Sequence, residues 1–155
     1  MNFAFGKNGF TLLELIIVII IVGILATVGL NQYNNIIEKG RAREARTNIG
    51  YMRKLTQEYY LKNSTLDGMA LSYIGVGSSS SQLPSSCNNS NYYFRYGIGA
   101  NYSSWLYLYG VRCTSGGKSP NAERAYNINI DYRLTTGATT WVCYYVDDTS
   151  VRCPF

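Results

Sequence analysis

Residues 10–30 form one apolar run that carries a single charge, Glu14. As a helix that run rises roughly 30 Å, about the hydrocarbon thickness of a bilayer. A secretory signal has a shorter apolar stretch followed by a small-residue cleavage site, which this run lacks. An ordinary membrane anchor has no use for the carboxylate. An ionised carboxylate in apolar surroundings costs several kcal/mol unless it is paired or near the interface. The nearest source of positive charge is the start of the run itself. Cutting the chain between Gly9 and Phe10 would free an amine on Phe10, and that amine on one subunit would reach Glu14 on a neighbour.

The residues that carry this chemistry are Gly9-Phe10-Thr11-Leu12-Leu13-Glu14-Leu15, behind a short leader, residues 1–9, with one Lys. They resemble the cleavage and methylation motif of type IV pilins, which is shared by subunits of type II secretion and competence filaments. The close resemblance covers residues 7–33. It implies that a prepilin peptidase cuts after Gly9 on the cytoplasmic face and methylates the Phe10 amine, and that Glu14 registers each incoming subunit. Many pilins carry a Pro near the end of the apolar run, where this chain has Asn31. Gly23 and Gly29 can loosen the helix instead, at about 1 kcal/mol each relative to Ala, while close helix packing is the stronger reading of both. The basic residues after the run outnumber the one Lys before it, against the positive-inside rule; the leader motif decides the orientation here.

Past residue 30 the pattern turns amphipathic. Tyr33, Ile36, Ile37, Ala45, Ile49, Met52, Leu55 and Tyr59 recur at three- and four-residue steps, with a gap around Gly40. Such a stripe packs against something. No Pro interrupts it, so one helix is predicted from Thr11 to about Lys62. Residues 63–91 read as a connecting loop, with Ser, Asn and Pro turn chemistry. The sequons at Asn63, Asn88 and Asn101 carry little weight in a bacterial chain. Strands are expected over 92–98, 103–112, 125–134 and 139–146. The third alternates cleanly, with Tyr126, Ile128, Ile130, Tyr132 and Leu134 on a buried face and Asn127, Asn129, Asp131 and Arg133 on a wet one. The expected fold is therefore α+β, a long N-terminal helix packed on an antiparallel sheet of about four strands. Its organisation is leader 1–9, membrane and filament-core helix 10–30, amphipathic helix 31–62, connecting loop 63–91 and sheet head 92–155.

The chain of 155 residues suffices for one such domain and has a net charge of +5 with no His. Much of the positive charge lies on the helix at Lys39, Arg41, Arg43, Arg46, Arg53, Lys54 and Lys62, which reads as a solvated face. Attraction to anionic lipid or nucleic acid is the sharper alternative, and no basic and aromatic constellation requires it. The commonest general base and metal ligand is missing. A phosphate loop, paired carboxylates and a spaced metal cluster are missing too, so neither an enzyme nor a cofactor is expected. Fifteen Tyr suit sheet faces and subunit contacts. Electron transport or adhesion along them has no distinguishing spacing.

Cys87, Cys113, Cys143 and Cys153 all follow the apolar run. An even count in an exported region implies two disulfides, whereas a metal site lacks a close C-x-x-C pair. Four cysteines allow three connectivities. Parity favours one: Cys143 and Cys153 lie ten apart, so a hairpin with a three-residue loop at 147–149 sets them opposite on one face, within bridging reach. Cys87 then pairs with Cys113 by elimination. The resemblance implies a single-pass precursor in the inner membrane with its head outside the cytoplasm. It then implies a homo- or hetero-oligomeric filament at the cell surface, built with an inner-membrane assembly platform. Motility, adhesion or DNA uptake follow from such a filament and its motors. A pseudopilin of type II secretion is the alternative.

Overall fold

The computed structural model of the chain describes residues 10–102, 105–121 and 124–153. It begins with one helix, α1, Leu12–Asn63. Its C-terminus is closed without glycine: Ser64 takes a left-handed conformation (φ 58°) and its N–H bonds back to the Tyr60 carbonyl at 2.7 Å. The Asn63 side chain caps the Tyr59 carbonyl at 2.8 Å. The chain divides into two compact units, one ending at Lys39 and one starting at Gly40, and α1 runs through the boundary.

In the first unit, every described apolar side chain of residues 12–30 is exposed. The amphipathic stripe is not buried from its start. Tyr33 and Ile36 are 61% and 65% exposed, and burial begins at Ala42.

In the second unit, four strands follow: β3 Phe94–Tyr102, β4 Trp105–Arg112, β5 Tyr126–Arg133 and β6 Thr139–Tyr145. They pair in sequence order as an antiparallel meander, with Leu108 opposite Ile130 and Ile128 opposite Cys143. The ladder between β3 and β4 shifts register between Ile98 and Asn101. Strand order follows from short connections between neighbours in sequence. The inner face presents Phe94, Tyr96, Leu106, Leu108, Tyr126, Ile128 and Ile130, which join Ala42, Ala45, Ile49 and Met52 of α1 in one core. Full burial of a side chain such as Ile49 or Met52 contributes roughly 1.5–3 kcal/mol. Thr56 lies on the same buried stripe and satisfies its hydroxyl on the Met52 carbonyl, 2.9 Å away. Asn48 donates to the Tyr96 hydroxyl at 2.8 Å, and the Tyr132 hydroxyl donates to Gln57. Gly110 lets helix and sheet approach. A Cβ there would stand 3.1 Å from a Tyr96 ring carbon and 3.5 Å from the Ile49 methyl.

Residues 63–91 hold more than a loop. A 3-10 turn over Leu71–Ile74 leads into a short parallel pair, β1 Val76–Gly77 with β2 Leu83–Pro84. Leu66, Ile74, Val76 and Leu83 are buried in the common core. These anchors lack a regular period, so periodicity could not find them. The wet face expected on β5 is also largely covered. Asn127 is 8% and Asn129 2% exposed, Asp131 is half-buried, and Arg133 alone of the four is open to solvent. Tyrosines from the flanking strands are the cause: Asn127 donates to the Tyr107 and Tyr144 hydroxyls, at 2.9 Å each. Burial holds the Tyr107 hydroxyl well above its ordinary pKa.

Candidate assembly segment

The start of α1 is a capping box, Thr11-Leu12-Leu13-Glu14. The Thr11 hydroxyl oxygen accepts the Glu14 N–H at 3.2 Å. Oε2 of Glu14 reaches back to accept the Thr11 N–H at 2.9 Å and the Thr11 hydroxyl at 2.8 Å. The carboxylate is thereby folded over the positive end of the helix dipole. Oε1 takes no hydrogen bond among the described residues, which leaves one lone-pair face for a cation from outside the chain. Sequence reasoning singled out Glu14 and passed over Thr11, although the T-x-x-E spacing was there to be read.

Phe10 is 84% exposed at the head of this turn; Gly9 lies outside the described residues. Behind Glu14 the helix is long and apolar enough to cross a membrane. The Thr27 hydroxyl returns to the Gly23 carbonyl at 2.6 Å, so the next polar side chain is satisfied within the helix. Nothing lies within 4 Å of a Cβ built on Gly23 or Gly29, so both glycines face open space within this chain. Phe10 and Glu14 are thus features of one helix start, not a pocket.

The cysteines form two bridges in the second unit. Cys143 joins Cys153 with Cα atoms 5.4 Å apart, and Cys87 joins Cys113 at 5.7 Å. Tyr144 pairs with Arg152, and the Cys153 N–H bonds to the Cys143 carbonyl at 3.3 Å. The hairpin ladder stops at Tyr145, whose N–H bonds to the Val151 carbonyl, so its loop is 146–150 and not 147–149. The reason is local. The Val146 N–H is taken by the Ala125 carbonyl at 3.1 Å, and Asp148 holds the turn by accepting from both the N–H and the hydroxyl of Ser150. Arg124 Nε donates to both carboxylate oxygens of Asp147, at 2.8 and 2.9 Å, and its guanidinium lies 3.8 Å from the centre of the Tyr145 ring. The Arg124 hydrogen bond holds Asp147 below the usual carboxylate range, and the Ser150 bonds do the same for Asp148. Pro154 lies outside the described residues.

The other bridge borders a buried arginine that sequence reasoning passed over. Arg112 is 1% exposed and donates to the carbonyls of Tyr93, Cys113 and Ser119 at 3.1, 3.3 and 2.6 Å. It fixes the segment after β4 to the one before β3. Its inward parity with Leu106 and Leu108 on β4 was the available signal.

Comparison with known protein families finds a match at this helix start. Residues 5–30 match the family described as the prokaryotic N-terminal methylation motif. The chain is 34% identical over 90 residues to a type IV major fimbrial protein of Dichelobacter nodosus, covering 54% of this chain and 53% of that protein. A fimbrial protein of Neisseria meningitidis serogroup B is 40% identical over 74 residues, 48% of this chain and 43% of its own. One from Eikenella corrodens is 41% identical over 54 residues, 35% of each. The matches span about half or less of these relatives.

Proposed function

We propose that this chain is a structural filament subunit of the type IV pilin family, made as a membrane-anchored precursor and polymerised through α1. In this account prepilin peptidase cuts between Gly9 and Phe10 and methylates the new amine. The assembly platform in the inner membrane then passes the subunit into a surface filament of this chain or of related pilins. The observation that carries the proposal is Glu14. It is the single carboxylate of the apolar run, and among the described residues one of its oxygens is open and nothing covers the apolar helical surface behind it. A methylated Phe10 ammonium on the neighbouring subunit satisfies the charge, while neighbouring helices cover the surface. Two disulfides support an oxidising compartment for the head, outside the cytoplasm. A pilus is preferred over a secretion pseudopilus because the relatives are fimbrial proteins.

Glu14→Val is the direct test. It makes the helix more apolar, so membrane insertion cannot suffer on transfer grounds. The expected result is a cleaved, membrane-bound subunit and almost no filament in the sheared surface fraction. Filament at wild-type yield would refute the role given to Glu14.

A further inference from the structure

We infer that the outer face of the sheet carries a saccharide-binding trough, in which Trp105, Tyr107 and Tyr144 flank Asn129 and Asp131 and a pyranose ring is the ligand.

The trough is shallow, about 410 Å³, and Val142, Thr149 and Arg152 complete its wall. Its size falls in the range of small-ligand sites. The strand register explains how it forms. Asn129 and Asp131 project outward from β5, the third strand, where Asn129 is paired with Tyr109 on one side and Val142 on the other. Tyr107 and Tyr144 come from the two strands that flank β5, and their hydroxyls meet above it at 2.5 Å. Asn127 donates to both from beneath. This closed set of hydrogen bonds fixes the two rings as a frame that cannot collapse into the trough. On the other side, Tyr107 lies close over Gly99 and Tyr109 over Gly97, where no side chain pushes them away.

The polar groups are incompletely used. Two tyrosine hydroxyls share one mutual hydrogen bond, so one O–H remains to donate outward. Among the described residues the buried Oδ1 of Asn129 has no hydrogen-bond partner, in a residue only 2% exposed that lines the trough. Its amide nitrogen reaches Asp131 Oδ1 at a long 3.4 Å. Buried acceptors are seldom left unsatisfied, because each costs about 1–3 kcal/mol. The site thus offers acceptors on Asn129 and Asp131, a donor on the tyrosine pair and apolar ring surface beside them. A pyranose presents the matching set. Adjacent hydroxyls donate and accept at its edge, and its C–H face packs on aromatic rings. A purely apolar ligand would leave the Asp131 carboxylate and the Asn129 acceptor unpaired. The proposal stands apart from filament assembly, since all of these residues lie within the second unit.

Saturation-transfer NMR on the detergent-solubilised full chain tests it. The probes are the methyl glycosides of glucose, galactose, mannose and N-acetylglucosamine at millimolar concentration, with choline chloride in the same panel. The expected result is saturation of ring protons in at least one glycoside. Asp131→Asn should weaken that binding about tenfold or more, as loss of a charged hydrogen bond does, and Trp105→Ala should weaken it by removing the aromatic surface beside the ring. Trp141→Ala, which alters the opposite side of β6, should leave it unchanged. The unaltered melting profile of Asp131→Asn guards against an unfolded head as the cause. Absence of saturation for every glycoside would overturn the proposal, as would equal signal in Trp105→Ala. Saturation of the choline methyl groups alone would assign the trough to a cation and overturn it too.

Discussion

At the scale of single residues, Thr11 and Glu14 do different work although they share three hydrogen bonds. Within the chain the pair is an ordinary helix start, whose loss costs about 0.5–2 kcal/mol of helix stability. Between chains only the carboxylate carries charge. Thr11→Val should therefore reduce filament yield far less than Glu14→Val, measured on the same sheared fractions. Equal loss in both would mean that the cap, not the charge, limits assembly. Gly110 makes a separate demand. Adding one methyl brings it to 3.1 Å from the Tyr96 ring and 3.5 Å from Ile49, and overpacking of this kind costs about 1–3 kcal/mol. Gly110→Ala should lower the unfolding midpoint of the head in denaturant titration by a corresponding amount. The glycine's role was not legible in the sequence, because it depends on which face of β4 meets the helix, and for the burial of Arg112 the parity with Leu106 and Leu108 was the one signal.

At the scale of elements, legibility followed periodicity. α1 and the four long strands each carry enough turns or alternations for a 3.6- or 2-residue period to stand out. The expected strands at 125–134 and 139–146 lie within a residue of β5 and β6 at either end. The short pair β1 and β2 has two residues per strand, too few for any period. Asn127 and Asn129 alternated correctly and were still misjudged as wet. Alternation says which face a side chain joins, and only the reach of Tyr107 and Tyr144 says whether that face is covered. The C-terminal hairpin makes two predictions. Replacing Cys143 and Cys153 together by Ser removes the constraint on a ten-residue separation, worth about 2–3 kcal/mol. That variant should unfold at lower denaturant while filament cleavage and insertion persist, because both belong to the helix start. Asp147 and Asp148 have depressed pKa values in the folded chain, so their contribution is complete above the ordinary carboxylate value near ~3.9. It is lost as pH falls through the folded values. Hydrogen exchange across 146–152, corrected for the intrinsic rate, should rise on acidification below about pH 4 and stay flat between neutrality and pH 5. A rise at higher pH would assign the hairpin's stability to some other group.

At the scale of the whole molecule, one chain carries two surfaces with opposite requirements. The head builds its core within the second unit, where Ala42, Ala45, Ile49 and Met52 of α1 pack with the buried face of the sheet. Residues 12–30 find no packing partners among the described residues and need lipid or other helices around them. On the proposed function, a filament would supply such helices, and a cut after Gly9 would free a Phe10 amine to pair with Glu14. Both follow from a single cut, so the N-terminus of assembled material tests the account most directly. Intact-mass and N-terminal peptide spectrometry of sheared surface filaments should find the chain starting at Phe10, heavier by one methyl group on its amine, with both disulfides closed. A subunit in those filaments that still starts at Met1, or a Phe10 amine buried in an uncut peptide bond, would contradict it.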